Sequence, residues 1–183
     1  AFIQDVKNAA LADSIRISFT DPTKKYAFIY AGNYYWKNRS SCLHSQANSD
    51  SGYYIMSEMK YNPTDQDTTR TGEKFAHIGV HCHEFAHVIG DFADLRDTSM
   101  NIVNIWDLMG TGGSCGVPED ACPGSLSPFH RYKLGWLSFT NVQSSLVHEE
   151  ITYSSNYANT DVYKIKGKTS KTTSTLLDDY FLI

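Results

Sequence analysis

The chain has 183 residues, a formal charge of −4 at neutral pH, 41% hydrophobic and 20% charged residues, and a 13% aromatic share that includes twelve Tyr. That length supports one domain with a sizeable core, the acidic balance leaves no basic footprint for nucleic acid or an anionic membrane, and no apolar run approaches the roughly 20 residues of a membrane helix. What remains is a globular enzyme, binding module or adhesion-type domain, with a monomer as the default.

From the N-terminus, Phe2, Ile3, Val6, Ala9 and Ala10 predict a helix over residues 1 to 14, without the basic start and unbroken apolar core of a signal peptide. Such a beginning fits a mature end or an internal cut of a longer precursor. SIRISFT, residues 14 to 20, alternates like a strand. YAFIYAG, residues 26 to 32, is an apolar run ended by glycine and reads as a buried central strand, whereas GYYIMSEM, from Gly52, mixes Tyr, Ser and Glu and reads as an edge strand.

After the polar, turn-rich NPTDQDTTRTG (62 to 72), a helix is predicted from Glu73 to Ile89. Its residues Ile78, Cys82, Phe85 and Ile89 step by four, three and four, forming one buried stripe, and Gly90 stands where a left-handed residue would cap the helix. Beyond Asn101, Gly, Pro and Asn punctuate the chain, leaving short apolar pieces at WDLMG and YKLGWLSF and strand-like pieces at DVYKIKG and YFLI. With no repeat or linker, residues 1–183 read as a single α+β domain. The closing LLDDYFLI reads as a strand stopped in mid-course, so the domain is expected to be truncated at its C-terminus.

Four cysteines, Cys42, Cys82, Cys115 and Cys122, are an even number. Cys115 and Cys122 bracket GVPEDA, a Gly/Pro loop able to bring them together, so a disulfide-closed loop is expected in an oxidising compartment. Cys42 with Cys82 is the other pairing, unless Cys82, inside the predicted helix, is a buried free thiol. This favours a secreted or extracellular setting. The oxygen-rich clusters NSDSG (48 to 52) and DQD (65 to 67) do not follow the order of a calcium loop and read as solvated turns, so a Ca2+ site lacks support.

The chemistry concentrates in HCHEFAH, residues 81 to 87. His83 and His87 are four residues apart, so on a helix both imidazoles leave the same face about one turn apart and can meet one metal ion. Glu84 lies 100° round from His83, placed to hold a water rather than to ligate. This is the HExxH arrangement of a zinc hydrolase, in which one catalytic Zn2+ acidifies a water whose proton Glu84 takes. His77 and His81 fall outside that face and read as ordinary histidines.

HEFAHVIGDFAD, residues 83 to 94, resembles the extended HExxHxxGxx(H/D) motif of metzincin peptidases. The succession IGVHCHEFAHVIG, DLRDTS, WDLMGTG and LSPFHRYKLGWL is similar to the ordered blocks of the immune inhibitor A family of secreted zinc metallopeptidases, and YAFIYAG extends the likeness to residues 26 to 138. The resemblance implies a zincin-like α+β catalytic domain with a mixed twisted sheet and a central active-site helix, a protein or peptide substrate, and an inhibitory N-terminal propeptide. It also implies a third zinc ligand beyond Gly90. Strict counting reaches Ala93, which cannot ligate; aligning DLRD with the family's DLYD hands the role to Asp94, with Asp91 and Glu119 as the other candidates. Met109 of WDLMG matches the methionine that underlies the metal, with Trp106 and Asp107 fixing its turn. His130, Arg131 and Tyr132 are candidates for stabilising an oxyanion. Two other classes compete with the peptidase: a zinc-stabilised but inactive binding module, and a disulfide-stabilised adhesion domain whose histidines bind nothing.

Overall fold

The computed structural model describes residues 2–12, 18–33, 45–60, 74–95, 103–142, 162–166 and 180–182. Most of SIRISFT, all of NPTDQDTTRTG with its DQD cluster, Cys42 and the end of the DLRD block lie outside them. Helix α1 (Phe2–Ala12) forms within the expected span. Its Lys7 ammonium lies over the rings of Phe19 and Tyr53, at 5.5 and 5.4 Å, which joins the helix to the first sheet.

That sheet contains β1 (Tyr26–Asn33), β2 (Gln46–Asn48), β3 (Tyr53–Lys60) and β4 (Lys74–Phe75). β3 runs parallel to β1, from Tyr26 opposite Tyr53 to Tyr30 opposite Ser57, and antiparallel to both β2 and β4. NSDSG is the hairpin turn between β2 and β3, where Ser51 N–H donates to Asn48 Oδ1 at 2.7 Å and Gly52 N–H donates to Ser49 C=O at 3.1 Å.

The two expected strand roles are reversed. β3, read as an edge, has partners on both sides and buries Ile55 and Met56 to 2% and 1% exposure. β1, read as central, pairs only with β3 among the described residues and leaves Ile29 55% exposed. Packing decides this: α2 (Ile78–Gly90) lies against β2 and β3, so the strand under the helix is buried whatever its polar content.

α2 begins five residues later than the sequence pattern implies, because Lys74 and Phe75 pair with β3 as strand β4. The expected apolar stripe is corrected as well. Ile78 and Phe85 are 55% and 42% exposed, while Gly79, His83, Glu84, Ala86 and Val88 form the buried face. Phe85, Ile89 and Cys82 instead line an apolar hollow of about 400 Å³ with Leu126, Arg131 and Trp136. The helix turns its histidine-bearing side inward, where hydrogen bonds to main-chain carbonyls satisfy the imidazoles of His83 and His87. Gly90 is still helical; the left-handed residue is Asp91, at φ 49° and ψ 43°, a residue type that tolerates that region. A Cβ on Gly90 would sit 2.3 Å from the Phe92 ring, so its glycine serves packing.

Residues 103–127 wrap the helix as a chain of short turns and then enter α3 (Pro128–Lys133), which starts with Pro at a first-turn position. Gly135, at φ 72°, ends α3: its N–H donates to Tyr132 C=O and Trp136 N–H donates to Arg131 C=O, the paired bonds of a Schellman end. The glycine of the LGW block thus has a local cause. A second sheet joins β5 (Thr140–Asn141), β6 (Tyr163–Lys166) and β7 (Tyr180–Leu182), β6 lying parallel to β5 and antiparallel to β7. Mixed helices and strands make the fold α+β, and no helix among the described residues is long and apolar enough to cross a membrane.

The core joins Ala86 of α2 to Phe92, Leu108, Met109 and Leu126, with Cys82, Leu95 and Leu134 packed around them. Two expectations about this region are corrected. Trp106 is 80% exposed, so of the two expected residues only the Asp107 side chain holds the turn. Cys115 and Cys122 carry free thiols, although Cys122 N–H donates to Cys115 C=O at 3.0 Å, and Cys82 is a half-buried free thiol.

Among the described glycines the closest backbone packing is at Gly79, whose N–H donates to Asp120 C=O at 2.9 Å. A Cβ there would lie 2.0 Å from Gly113 O and 2.8 Å from Asp120 O, both backbone atoms that cannot swing aside. Gly79→Ala is therefore expected to lower stability by about 1–3 kcal/mol, the usual cost of overpacking, measured by chemical denaturation against wild type.

Candidate metal centre

The helical spacing of His83 and His87 sets their imidazoles 4.8 Å apart, centre to centre, and nearly perpendicular. Each is oriented from behind. His83 Nδ1–H donates to Leu108 C=O at 2.8 Å, and His87 Nδ1–H donates to Phe92 C=O at 2.5 Å. A carbonyl oxygen can only accept, so Nδ1 carries a proton in both rings and, in the neutral imidazole, each Nε2 presents a lone pair. Those two atoms are 3.2 Å apart.

Asp94 completes the group. The left-handed step at Asp91 reverses the chain after α2, and Leu95 N–H donates to Met109 C=O at 2.8 Å, which ties the Asp94 segment to the core. Asp94 Oδ1 then lies 2.9 Å from His83 Nε2 and 3.6 Å from His87 Nε2. Three electron-pair donors thus converge within 2.9–3.6 Å. They repel one another unless a proton or a cation lies between them, and one divalent cation satisfies all three. For ligand bonds of about 2.0–2.1 Å, donor atoms on a tetrahedron lie roughly 3.3 Å apart, close to the spacing here. His83, His87 and Asp94 could hold a metal ion, and among the described residues no fourth histidine, cysteine or carboxylate joins them.

The other proposed third ligands are displaced. Asp91 is exposed at the helix cap. Glu119 is exposed too, and its carbonyl accepts the His77 Nδ1–H bond at 2.7 Å, which anchors the 115–122 loop to the helix start. His77 and His81 stand outside the three-donor group. The His81 ring packs edge-on to Tyr54, with Nδ1 3.3 Å from the Tyr54 hydroxyl; burial lowers the His81 pKa and raises those of Tyr54 and Cys82.

Met109 is fully buried and packs in the core cluster beside Ala86, the residue lying between the two histidines on α2. Its turn is held by Asp107, also fully buried: Oδ1 accepts from Met109 N–H at 2.7 Å, and Oδ2 accepts from Ser127 N–H at 3.1 Å and His130 Nδ1–H at 2.8 Å.

The metal group opens into a cavity of about 410 Å³ lined by Ser45, Gln46, Ala47, Ser49, His83, Glu84, His87, Phe92 and Asp94. Glu84 itself is buried to 8% exposure. The three oxyanion candidates are corrected: His130 is buried on Asp107, Arg131 lines the apolar hollow, and Tyr132 packs on Phe139; none lines this cavity. Gln46 of β2 and the residues flanking that strand, Ser45 and Ser49, do, and nothing in their local sequence signals it. Comparison with protein-family models, curated proteins and solved structures gave no match.

Two outcomes follow. The chain is expected to bind one Zn2+ or Co2+ per molecule, and Asp94→Ala to weaken that binding by more than the 10–100-fold typical of losing an outer-shell partner, as read by chelator competition. Asp107 supplies a pH test. Burial raises its carboxyl pKa, but the bonds from His130, Ser127 and Met109 outweigh that and hold it below the ordinary carboxylate value. A group with a depressed folded pKa contributes fully above its unfolded value and loses that contribution as pH falls through the folded one. Wild type should therefore lose stability more steeply than Asp107→Asn below about pH 4, in urea unfolding followed across pH.

Proposed function

We propose that this chain is a zinc-dependent endopeptidase of the immune inhibitor A type, with a zincin-like catalytic domain. The observation that supports the reading best is the converging donor triangle of His83, His87 and Asp94 with the Glu84 carboxylate in the same cavity. Two imidazoles and a carboxylate are a donor set suited to Zn2+. Three protein donors also leave a coordination position open, which favours catalysis over a closed structural site. When bound, the ion acts as a Lewis acid on a carbonyl oxygen and lowers the pKa of a water.

The chain's own groups do the rest. Glu84 holds a water, takes its proton as the water oxygen attacks the scissile carbonyl carbon, and returns that proton to the departing amine nitrogen. The carbonyls of Leu108 and Phe92 keep His83 and His87 in the tautomer that presents Nε2. β2 has a partner on one side only among the described residues, and it lines the cavity. A substrate segment can add to its free edge as an extended strand, held through main-chain bonds that ignore side-chain identity. Such binding suits a peptide and explains how a cleft with few specific contacts could orient one. A secreted setting and an inhibitory propeptide come with the family resemblance and belong to the same proposal.

The test is Glu84→Gln, which keeps the shape and loses the base. It is expected to retain zinc while cleavage of an unstructured protein such as casein falls by about 10²–10⁴-fold, the usual worth of a general base. Equal activity in the two proteins, or zinc-loaded wild type that cleaves nothing, would overturn the proposal.

A further inference from the structure

Asp107 stands behind the metal group without touching it, and three routes lead from its carboxylate to the three donors. The bond from Met109 N–H to Oδ1 at 2.7 Å, together with Gly110 N–H and Gly112 N–H on the Asp107 carbonyl at 2.9 and 3.1 Å, closes residues 107–112 into a tight turn. That turn aims Leu108 C=O at His83 Nδ1. It also presents Met109 C=O to Leu95 N–H, the neighbour of Asp94. The third route runs through Oδ2 to His130, whose ring lies on the Phe92 ring at 4.1 Å between centres. Phe92 in turn offers its carbonyl to His87 Nδ1.

We propose that Asp107 is the positioning residue of the metal centre, one buried carboxylate that sets the imidazole tautomers of His83 and His87 and the approach of Asp94. The inference rests on reading those three side chains as metal donors. Its logic is that the acceptors behind His83 Nδ1 and His87 Nδ1 are the main-chain carbonyls of Leu108 and Phe92, which substitution of the Leu108 or Phe92 side chain does not remove. Control of those carbonyls passes to whatever fixes the backbone, and Asp107 is fully buried with both oxygens engaged in doing so. His130 is its relay to Phe92 alone.

The experiment uses the full chain in four forms: wild type, Asp107→Asn, His130→Leu and, as a control for lost stability, Ile55→Ala in β3, away from the turn. Side-chain ¹⁵N NMR of the metal-free proteins, above the imidazole titration, reads the tautomers of His83 and His87. Zinc affinity is then measured by chelator competition. The expected result is Nδ1–H on both rings in wild type, loss of both in Asp107→Asn, and loss at His87 alone in His130→Leu. Zinc affinity should fall 10–100-fold in Asp107→Asn, the range for outer-shell partners, while Ile55→Ala keeps tautomers and affinity despite its lower melting temperature. The branch-specific result for His130→Leu supports the proposal even if Asp107→Asn does not fold. Unchanged tautomers and affinity in Asp107→Asn and His130→Leu, or equal losses in Ile55→Ala, would overturn it. Tautomers that respond as described in a protein that binds no zinc would leave the positioning intact and remove the metal reading instead.

Discussion

Two hydrogen bonds constrain the rest of the site: those from His83 and His87 Nδ1–H to the carbonyls of Leu108 and Phe92. Because the acceptors have no proton to give, both rings in their neutral form point a lone pair towards the cavity, where Asp94 adds a third donor. A cation would offset the repulsion among these three donors. The fold around it is organised to keep those two carbonyls in place. Leu108 lies in a turn closed by a buried carboxylate, and Phe92 lies just past the left-handed step that ends α2.

This demand also explains the orientation of α2. A helix in a small domain ordinarily buries its apolar stripe. Here the face with Gly79, His83, Glu84 and Ala86 is turned inward, and Phe85 and Ile78 are left partly exposed. Gly79 permits the close approach of the 113 and 120 backbone, and the His77 bond to Glu119 pins the same loop to the helix start. The helix is thus held by contacts with loop backbone at its beginning, while the apolar core gathers near its end, around Met109 and Phe92.

The site was more legible in the sequence than the fold. A spacing of four on a helix is a geometric statement about one face, so the His83 and His87 pair could be read directly. Asp94 needed the register of the DLRD block as well, since a count from His83 lands on Ala93. Local composition could not reveal which strand lies under the helix, because Tyr, Ser and Glu in β3 say nothing about its neighbours. Gly90 carried a cap signal, yet the left-handed residue is Asp91, since both types tolerate that conformation and Phe92 packing chose between them. The carbonyls of Leu108 and Phe92 had no sequence signal at all, every residue having one. His130 looked like a catalytic donor by type alone; its burial on Asp107 is a tertiary fact.

What unites these elements is a division of labour between side chains that meet the cavity and backbone that aims them. The first group is small, His83, Glu84, His87 and Asp94, and opens on a hollow bordered by the β2 hairpin. The second runs through residues 91–95 and 107–112 and is stabilised from the core. The central claim is that the three donors share one zinc ion with a position left free for solvent. X-ray absorption at the zinc edge of the one-to-one complex tests it most directly. Four light-atom neighbours, two of them with the multiple scattering of imidazole, at about 2.0–2.1 Å, are what the account predicts. A sulfur neighbour, or a shell with no imidazole signature, would contradict it.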